Sequence, residues 1–556
     1  MSDSPMPPQD PSPTRSPIAL PDLLHATPVR TIDWERTDLA LVMAFAGGTS
    51  GGLFSDALAT ASVAPSTWEP ASFADDLFVK SFVTKCFQIR VATGEPVQQS
   101  NYLRRLLSHP PSEPDTVFYR RAIIAELNEH PELRRQLESL YQTLCRFRAL
   151  LEGTNIGSNW DSNRRQLDLL RLFRELVEPL SEAFGACSSG LRRLANFGGA
   201  VQAGEPFESL CDLLQYDEQL ATLSFEVGLG ADGRIRRLQV RSIKETQDNP
   251  FVSSPWRRWL TKLELFARGY RFSDGEVMAR LLDAVFEGVR EPMLCLVQLL
   301  GDVEFYLGAL SFCDRARKAK LDVCLPELVD ASQARTLTAL FNPLLLGGDI
   351  TPIPANVQTD RMDTTVLITG PNSGGKTRLL QALGLAQMLA QCGLYVPAQS
   401  AKMALVPGLV VSLIQETTLN QSEGRLGTEL VRIRALFEDF PPGAMVILDE
   451  LCSGTNPSEG EEIFELVIRM LTLLRPQAFV TTHFLGFAAR LQDEGKIEDL
   501  RFLQVLLDEN EKATYQFGLG VASTSLAAYA AARLGVTGEQ LLALIEDKVA
   551  KGPSRR

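Results

Sequence analysis

One run of residues carries chemistry that its types and spacing can explain: Gly370-Pro371-Asn372-Ser373-Gly374-Gly375-Lys376-Thr377. It fits the pattern G-x-x-x-x-G-K-[ST]. Glycines at 370, 374 and 375 let backbone N–H groups approach phosphate oxygens without a Cβ in the way. A helix beginning there would add the partial positive charge of its N-terminus. Lys376 can reach β- and γ-phosphate oxygens, and the Thr377 hydroxyl can ligate Mg²⁺. Roughly 70 residues on, Ala444-Met-Val-Ile-Leu-Asp449-Glu450 ends an apolar run in two adjacent carboxylates. Asp449 suits the metal shell, and Glu450 suits orienting or deprotonating a water, the division of labour that phosphoanhydride hydrolysis requires. Phe479-Val-Thr-Thr-His483 delivers a histidine from a third apolar run, where it could sense a γ-phosphate.

The elements that must hold these groups are legible around them. Val366 to Thr369 is short, apolar and β-branched, which predicts a buried strand. Arg378 to Cys392 repeats apolar residues at helical spacing, and Gly393 reads as its stop. From Thr364 onward strands and helices alternate, as in an α/β sheet. Ser453 to Gly460 is a polar turn, with Ser458 as the expected N-cap of the next helix and Glu461 as its capping-box partner.

Upstream the pattern is helical from about Phe73 to Leu151, from Arg164 to Phe184, and again from Asp274 to Ala319, where Pro292 is almost the only breaker. Between these, Thr222–Leu229 and Ile235–Ile243 alternate as hairpin strands do. The hairpin carries Arg234, Arg236, Arg237, Arg241 and Lys244, a basic face suited to a phosphate backbone. Residues 1–20 are rich in Pro, Ser and Asp and are expected to be a disordered tail; residues 30–70 are not assigned.

Composition narrows the classes. The 556 residues are 45% hydrophobic and carry a formal net charge of −13, so any nucleic-acid partner must be held by local basic surface. Residues 101–300 are the least acidic part, with 26 Lys and Arg against 27 Asp and Glu. The nine cysteines form no C-x-x-C pair and the four histidines have no zinc-ligand spacing, which predicts reduced thiols in a cytoplasmic protein. The longest apolar run considered, Leu39 to Gly48, is too short to span a bilayer, so no membrane partner is expected.

Taken together, Thr369–Thr377, Leu448–Gly460 and Thr481-Thr-His-Phe484 resemble the ATPase domain of the MutS family, with Asn342-Pro343 and Pro354-Ala355-Asn356 like the segment leading into it. The close likeness covers roughly 340–540. The resemblance implies a mixed fold: a helical lever and core domain with an inserted clamp, then an α/β P-loop (ABC-type) ATPase domain and a C-terminal helical dimerisation segment. The expected boundaries are a tail over 1–25, helical core over 26–160, clamp-like insertion over 161–270, lever helices over 271–340, ATPase over 341–520 and dimerisation helices over 521–556. It implies ATP and Mg²⁺ as cofactors, Glu450, His483 and Lys376 as catalytic residues, a homodimer on DNA, and repair or recombination proteins as partners. In the family a signature segment reaches the partner's site. Its match here is Ser422–Arg434: Glu429 is kept, but Gly424 stands where the serine is usual and Leu426 where the phenylalanine is. The short chain before the helical region gives no expectation of a mismatch-reading domain, and the end near the dimerisation segment none of a terminal nuclease. An ATP-driven switch on a protein or ribonucleoprotein partner is the competing reading, favoured by the acidic balance.

Overall fold

The computed structural model describes residues 19–47, 51–89, 98–153, 162–219, 224–229, 235–242, 274–348, 350–413, parts of 427–438, and 441–451, 456–510, 512–523 and 536–550. The chain is mixed helix and sheet, and it divides into two compact units: residues 1–62 with 126–304, and residues 63–125 with 305–556.

The first unit is mainly helical, with one two-stranded hairpin. Residues 30–70, unassigned from sequence, contribute the helices Trp34–Phe45 and Leu53–Thr60. Asp33 caps the first by accepting from the Arg36 N–H. Pro131 opens the helix Pro131–Glu152 at its first position, where a missing N–H costs nothing. The expected run from Arg164 to Phe184 is broken by Pro179 into Ser162–Val177 and Leu180–Phe184. Stacked Phe45 and Phe286 (3.9 Å) and the edge-on pair Phe54 and Phe147 (6.3 Å) are part of its core. The stretch read as a tail over 1–25 is not all tail. Leu23 and Leu24 are buried, and the Leu23 N–H donates to buried Asp302 at 3.0 Å.

Residues 274–318 form one 45-residue helix rather than several, with Pro292 inside it. Its apolar stretch corrects the sequence reading in one respect. A window within Ala279–Lys318 is long and apolar enough to cross a membrane, but that window is buried inside the protein. Two of the helix's carboxylates, Asp302 and Glu304, are buried too, and Tyr141 Oη donates to Glu304 at 2.9 Å. A buried acid needs such a donor to offset the loss of water. The alternating segment pairs as expected: β1 (Ser224–Leu229) runs antiparallel to β2 (Ile235–Ser242), whose backbone carries Arg236, Arg237 and Arg241. Arg234 and Lys244 lie outside the described residues.

The second unit holds two sheets. The smaller has the order β3-β7-β4-β5, from β3 (Glu327–Leu328), β4 (Arg335–Leu340), β5 (Ala355–Thr359) and β7 (Ser400–Met403). The larger joins β6 (Thr365–Thr369), β8 (Leu409–Ser412), β9 (Met445–Leu448), β10 (Gln477–Thr481), β11 (Leu500–Leu507) and β12 (Ala513–Leu519), in the order β12-β11-β6-β10-β9-β8. Five of these strands are parallel and only β12 is antiparallel. The three strands β6, β9 and β10 are buried at every position, as strands covered on both faces must be. Residues 63–125 fold against this unit: Trp68 Nε1 donates to the Val406 carbonyl at 3.0 Å, and Ser72 Oγ to the Leu409 carbonyl at 2.7 Å. A Cβ on Gly384 would come within 2.7 Å of Leu77, which is why a glycine sits inside the helix Lys376–Gln391.

Candidate functional site

The sheet order decides which loops meet. β6 and β9 are not neighbours; β10 lies between them. The carboxyl ends of three adjacent parallel strands therefore converge: β6 ends at the glycine loop, β9 at Asp449-Glu450, and β10 at Thr481-Thr482-His483. Ligands of open parallel sheets bind at such ends.

The loop is held from outside the motif. Gly370 (φ +135°) and Gly375 (φ +83°) adopt backbone conformations that side chains disfavour. A Cβ on Gly370 would lie 2.7 Å from Val505 Cγ2, and one on Gly374 2.9 Å from the same methyl. The ring of Tyr515 would be 3.0 Å from a Cβ on Gly375. β11 and β12 thus press the loop into shape, a role invisible in its own residues. Asn342 secures the following helix by donating to the Arg378 carbonyl (3.2 Å) and Gln381 Oε1 (2.9 Å). That helix, Lys376–Gln391, is buried around nearly its whole circumference, so its N-terminus is fixed against the loop.

The expected polar groups come together. Lys376 is 3% exposed; its Nζ donates to the carbonyls of Gly370 (2.9 Å) and Pro371 (3.2 Å) and approaches Asn372 Oδ1 at 3.5 Å. It lies 3.8 Å from Glu450 Oε1. Burial pushes the ammonium pKa down, and the charges of Glu450 and then Asp449 oppose that shift. Thr377 Oγ1 donates to Asp449 Oδ2 at 2.5 Å. The donor set is oxygen only, a hydroxyl beside a carboxylate, which fits a hard cation shared with substrate phosphates. Among the described residues no group of three or more His, Cys, Asp or Glu forms a closed metal cage. Mg²⁺, which takes few protein ligands and keeps room for phosphate and water, is the ion this arrangement suits.

Glu450 adopts φ +47°, the left-handed region, which costs a side-chain-bearing residue about 1–2 kcal/mol. Its N–H donates to Thr481 Oγ1 at 2.8 Å. His483 stands two residues beyond β10, half-buried, with its ring tilted against Phe484 at 4.1 Å. Among the described residues no hydrogen bond or ion pair ties it to the phosphate loop. Ser373 is exposed at the loop's outer edge. Gly424 and Glu429 lie outside the described residues. The expected helix cap moves: Asn456, not Ser458, caps Pro457–Leu473 by accepting from the Ser458 N–H. Proline at the first helical position sets that register. From the sequence Thr481 carries no role of its own, because a threonine at a buried strand end looks like ordinary β-structure.

A glycine loop at the end of a buried parallel strand, with a carboxylate pair at the end of the next strand but one, belongs to an α/β domain built on a mostly parallel sheet. Residues 366–549 match the family described as MutS domain V, so this part of the chain is a MutS-family domain. Similar proteins include the Endonuclease MutS2 of Streptococcus thermophilus, 29% identical over 272 residues, 48% of this chain and 33% of that one. That of Thermus thermophilus is 35% identical over 185 residues, 33% of this chain and 24% of the relative. That of Streptococcus mutans is 31% identical over 242 residues, covering 43% and 29%. The chain thus spans about a third or less of the length of the relatives it matches.

Proposed function

We propose that this chain is a Mg²⁺-dependent ATPase of the MutS type that acts on DNA as a homodimer and couples ATP binding and hydrolysis to the closing and opening of a clamp. The observation that carries it is the juxtaposition of Thr377 with Asp449 at 2.5 Å and of Lys376 with Glu450 at 3.8 Å, at the mouth of a glycine loop. Magnesium, when bound, would be held by Thr377 and Asp449 and would offset the negative charge that builds in transfer.

The chain's own groups do the rest. The loop N–H groups and the helix N-terminus bind the phosphates. Lys376 leaves its carbonyl partners to pair with phosphate oxygens, and Thr377 and Asp449 hold the cation. Glu450 orients a water and accepts its proton as the water attacks the γ-phosphorus, while the bond to the β–γ bridging oxygen breaks and ADP leaves. His483 contacts the γ-phosphate from the end of β10. Gly424 and Glu429 belong to the segment that completes the partner's site. The arginines of the β1–β2 hairpin, with Arg234 and Lys244, contact the DNA backbone.

The test is ATP turnover by the purified chain with and without duplex, branched, mismatched and single-stranded DNA, alongside structured RNA and ribosomes. Stimulation by a DNA form is the expected result; stimulation by ribosomes alone would replace DNA with a ribonucleoprotein partner. Glu450→Gln should keep ATP binding and lose turnover by roughly 10²–10⁴-fold. Normal turnover in that variant would place the base elsewhere.

A further inference from the structure

Thr481 sits at the last position of β10, between the two strands whose loops form the nucleotide site, and it is fully buried. Its register explains its reach. In the parallel pairing β10 places Thr481 beside Ile368 of β6, and Val480 beside Leu448 of β9. One residue further on each side lie Thr369, just before the glycine loop, and Asp449. The Thr481 hydroxyl makes two hydrogen bonds, one to each residue of the acidic pair. It donates to Asp449 Oδ1 at 2.5 Å and accepts the Glu450 N–H at 2.8 Å.

These two bonds have different consequences. The first fixes the rotation of the Asp449 carboxylate. With Oδ1 taken by Thr481, Oδ2 is the oxygen presented to Thr377. The second anchors the backbone of Glu450 at the residue where φ is +47°. A strained residue persists only where its surroundings hold it, and here the holder is a side-chain oxygen. A single hydroxyl therefore sets the direction of both acids.

We infer that Thr481 is the positioning residue of this site: its hydroxyl aims Asp449 at the metal position and Glu450 at the water position, so that metal binding and water activation share one hinge point. The inference rests on the proposed reading of the site as a Mg²⁺·ATP site.

The exchange that isolates the hydroxyl is Thr481→Val, which keeps the branched shape, compared with Thr481→Ser, which keeps the hydroxyl. Two measurements are made on the full chain: steady-state ATP turnover, and binding of a fluorescent ATP analogue titrated with Mg²⁺. Loss of a group orienting a metal ligand typically weakens metal affinity about 10–100-fold, and misaiming a reactive group costs about 10²-fold in rate. Thr481→Val should therefore raise the Mg²⁺ concentration for half-maximal analogue binding by about tenfold or more and lower kcat by about 10–100-fold. Analogue binding without Mg²⁺, and KM, should stay within about threefold, because the phosphate-binding loop is untouched. Thr481→Ser should keep at least about a third of wild-type kcat.

Wild-type behaviour of Thr481→Val in both assays overturns the inference. Equal losses in Val and Ser variants overturn it too, because they would assign the effect to the methyl group's packing. If Thr481→Val does not melt cooperatively, Thr481→Cys, a weak donor of similar size, takes its place beside Ser under the same criteria. A wild-type chain that neither turns over ATP nor binds the analogue with Mg²⁺ would bring down the reading of the site itself, which is a separate result.

Discussion

At the scale of single residues, the glycine loop is a place where backbone shape, not side-chain chemistry, sets the outcome. Gly370 combines φ +135° with a Cβ position 2.7 Å from Val505 Cγ2. Gly370→Ala should therefore both strain the backbone and displace β11, so nucleotide affinity should fall by more than tenfold, about 1.4 kcal/mol or greater. Equilibrium binding of an ATP analogue measures this, with thermal melting as the check on folding. Affinity at the wild-type level would mean that the loop relaxes without cost. Lys376 shows the opposite balance. Its charge is carried in a buried place, held by carbonyls and by the nearby acids, so the cation is kept where phosphate oxygens can reach it.

Elements are joined by a few buried polar contacts whose loss can be read in stability. Arg335 of β4 is fully buried, hydrogen-bonded to Gln477 of β10, and lies over the Phe479 ring at 5.3 Å. Burial lowers its pKa to about 10. Removing the acceptor with Gln477→Leu leaves a buried charge short of a partner and should cost about 3 kcal/mol. The double change Arg335→Leu with Gln477→Leu should cost less than Gln477→Leu alone. Chemical denaturation of the three variants tests this; a double change worse than the single would refute the account.

Glu126, near the end of the helix Pro114–Glu129, ties the 187–190 turn by accepting from the Ser188 N–H (2.7 Å), Ser188 Oγ (2.9 Å) and the Ser189 N–H (3.1 Å). Burial raises its pKa, but the hydrogen bonds from Ser189 and Ser188 together outweigh burial, and the net shift is downward. A carboxyl whose folded pKa lies below its unfolded value stabilises above the unfolded pKa, near 4.5, and loses that stabilisation as pH falls through the folded value. Glu126→Gln should lower stability by about 1 kcal/mol at neutral pH and by less below pH about 4. Melting curves across that range would show it; a pH-independent difference would exclude the carboxylate as the cause.

For the whole molecule, the acidic net charge of −13 makes a local basic surface the requirement for DNA binding. If the five basic residues named for the hairpin each neutralise a phosphate, log K should fall with log salt at a slope of about −4 to −5. Binding measured between low and moderate salt tests this, and replacing Arg236, Arg237 and Arg241 with glutamine should flatten the slope by about three. A slope already near zero would remove the DNA backbone from the proposed function.

Local chain chemistry determined much by itself. The glycine loop, its Lys376 and Thr377, the Asp449-Glu450 pair, the buried strands and the helix after the loop all follow from short-range pattern, because phosphate binding and strand burial constrain contiguous residues. What the sequence could not decide depended on which segments become neighbours. Residues 63–125 read as part of a continuous helical core, yet they fold with the second unit through contacts such as Trp68 to Val406. Leu23 and Leu24 read as tail because their composition is proline-rich nearby, but a long-range contact to Asp302 orders them. Val505, Tyr515 and Thr481 acquire their roles at the site only because β10 and β11 flank β6 in the sheet. Strand order is a property of the folded chain, and no local pattern encodes it.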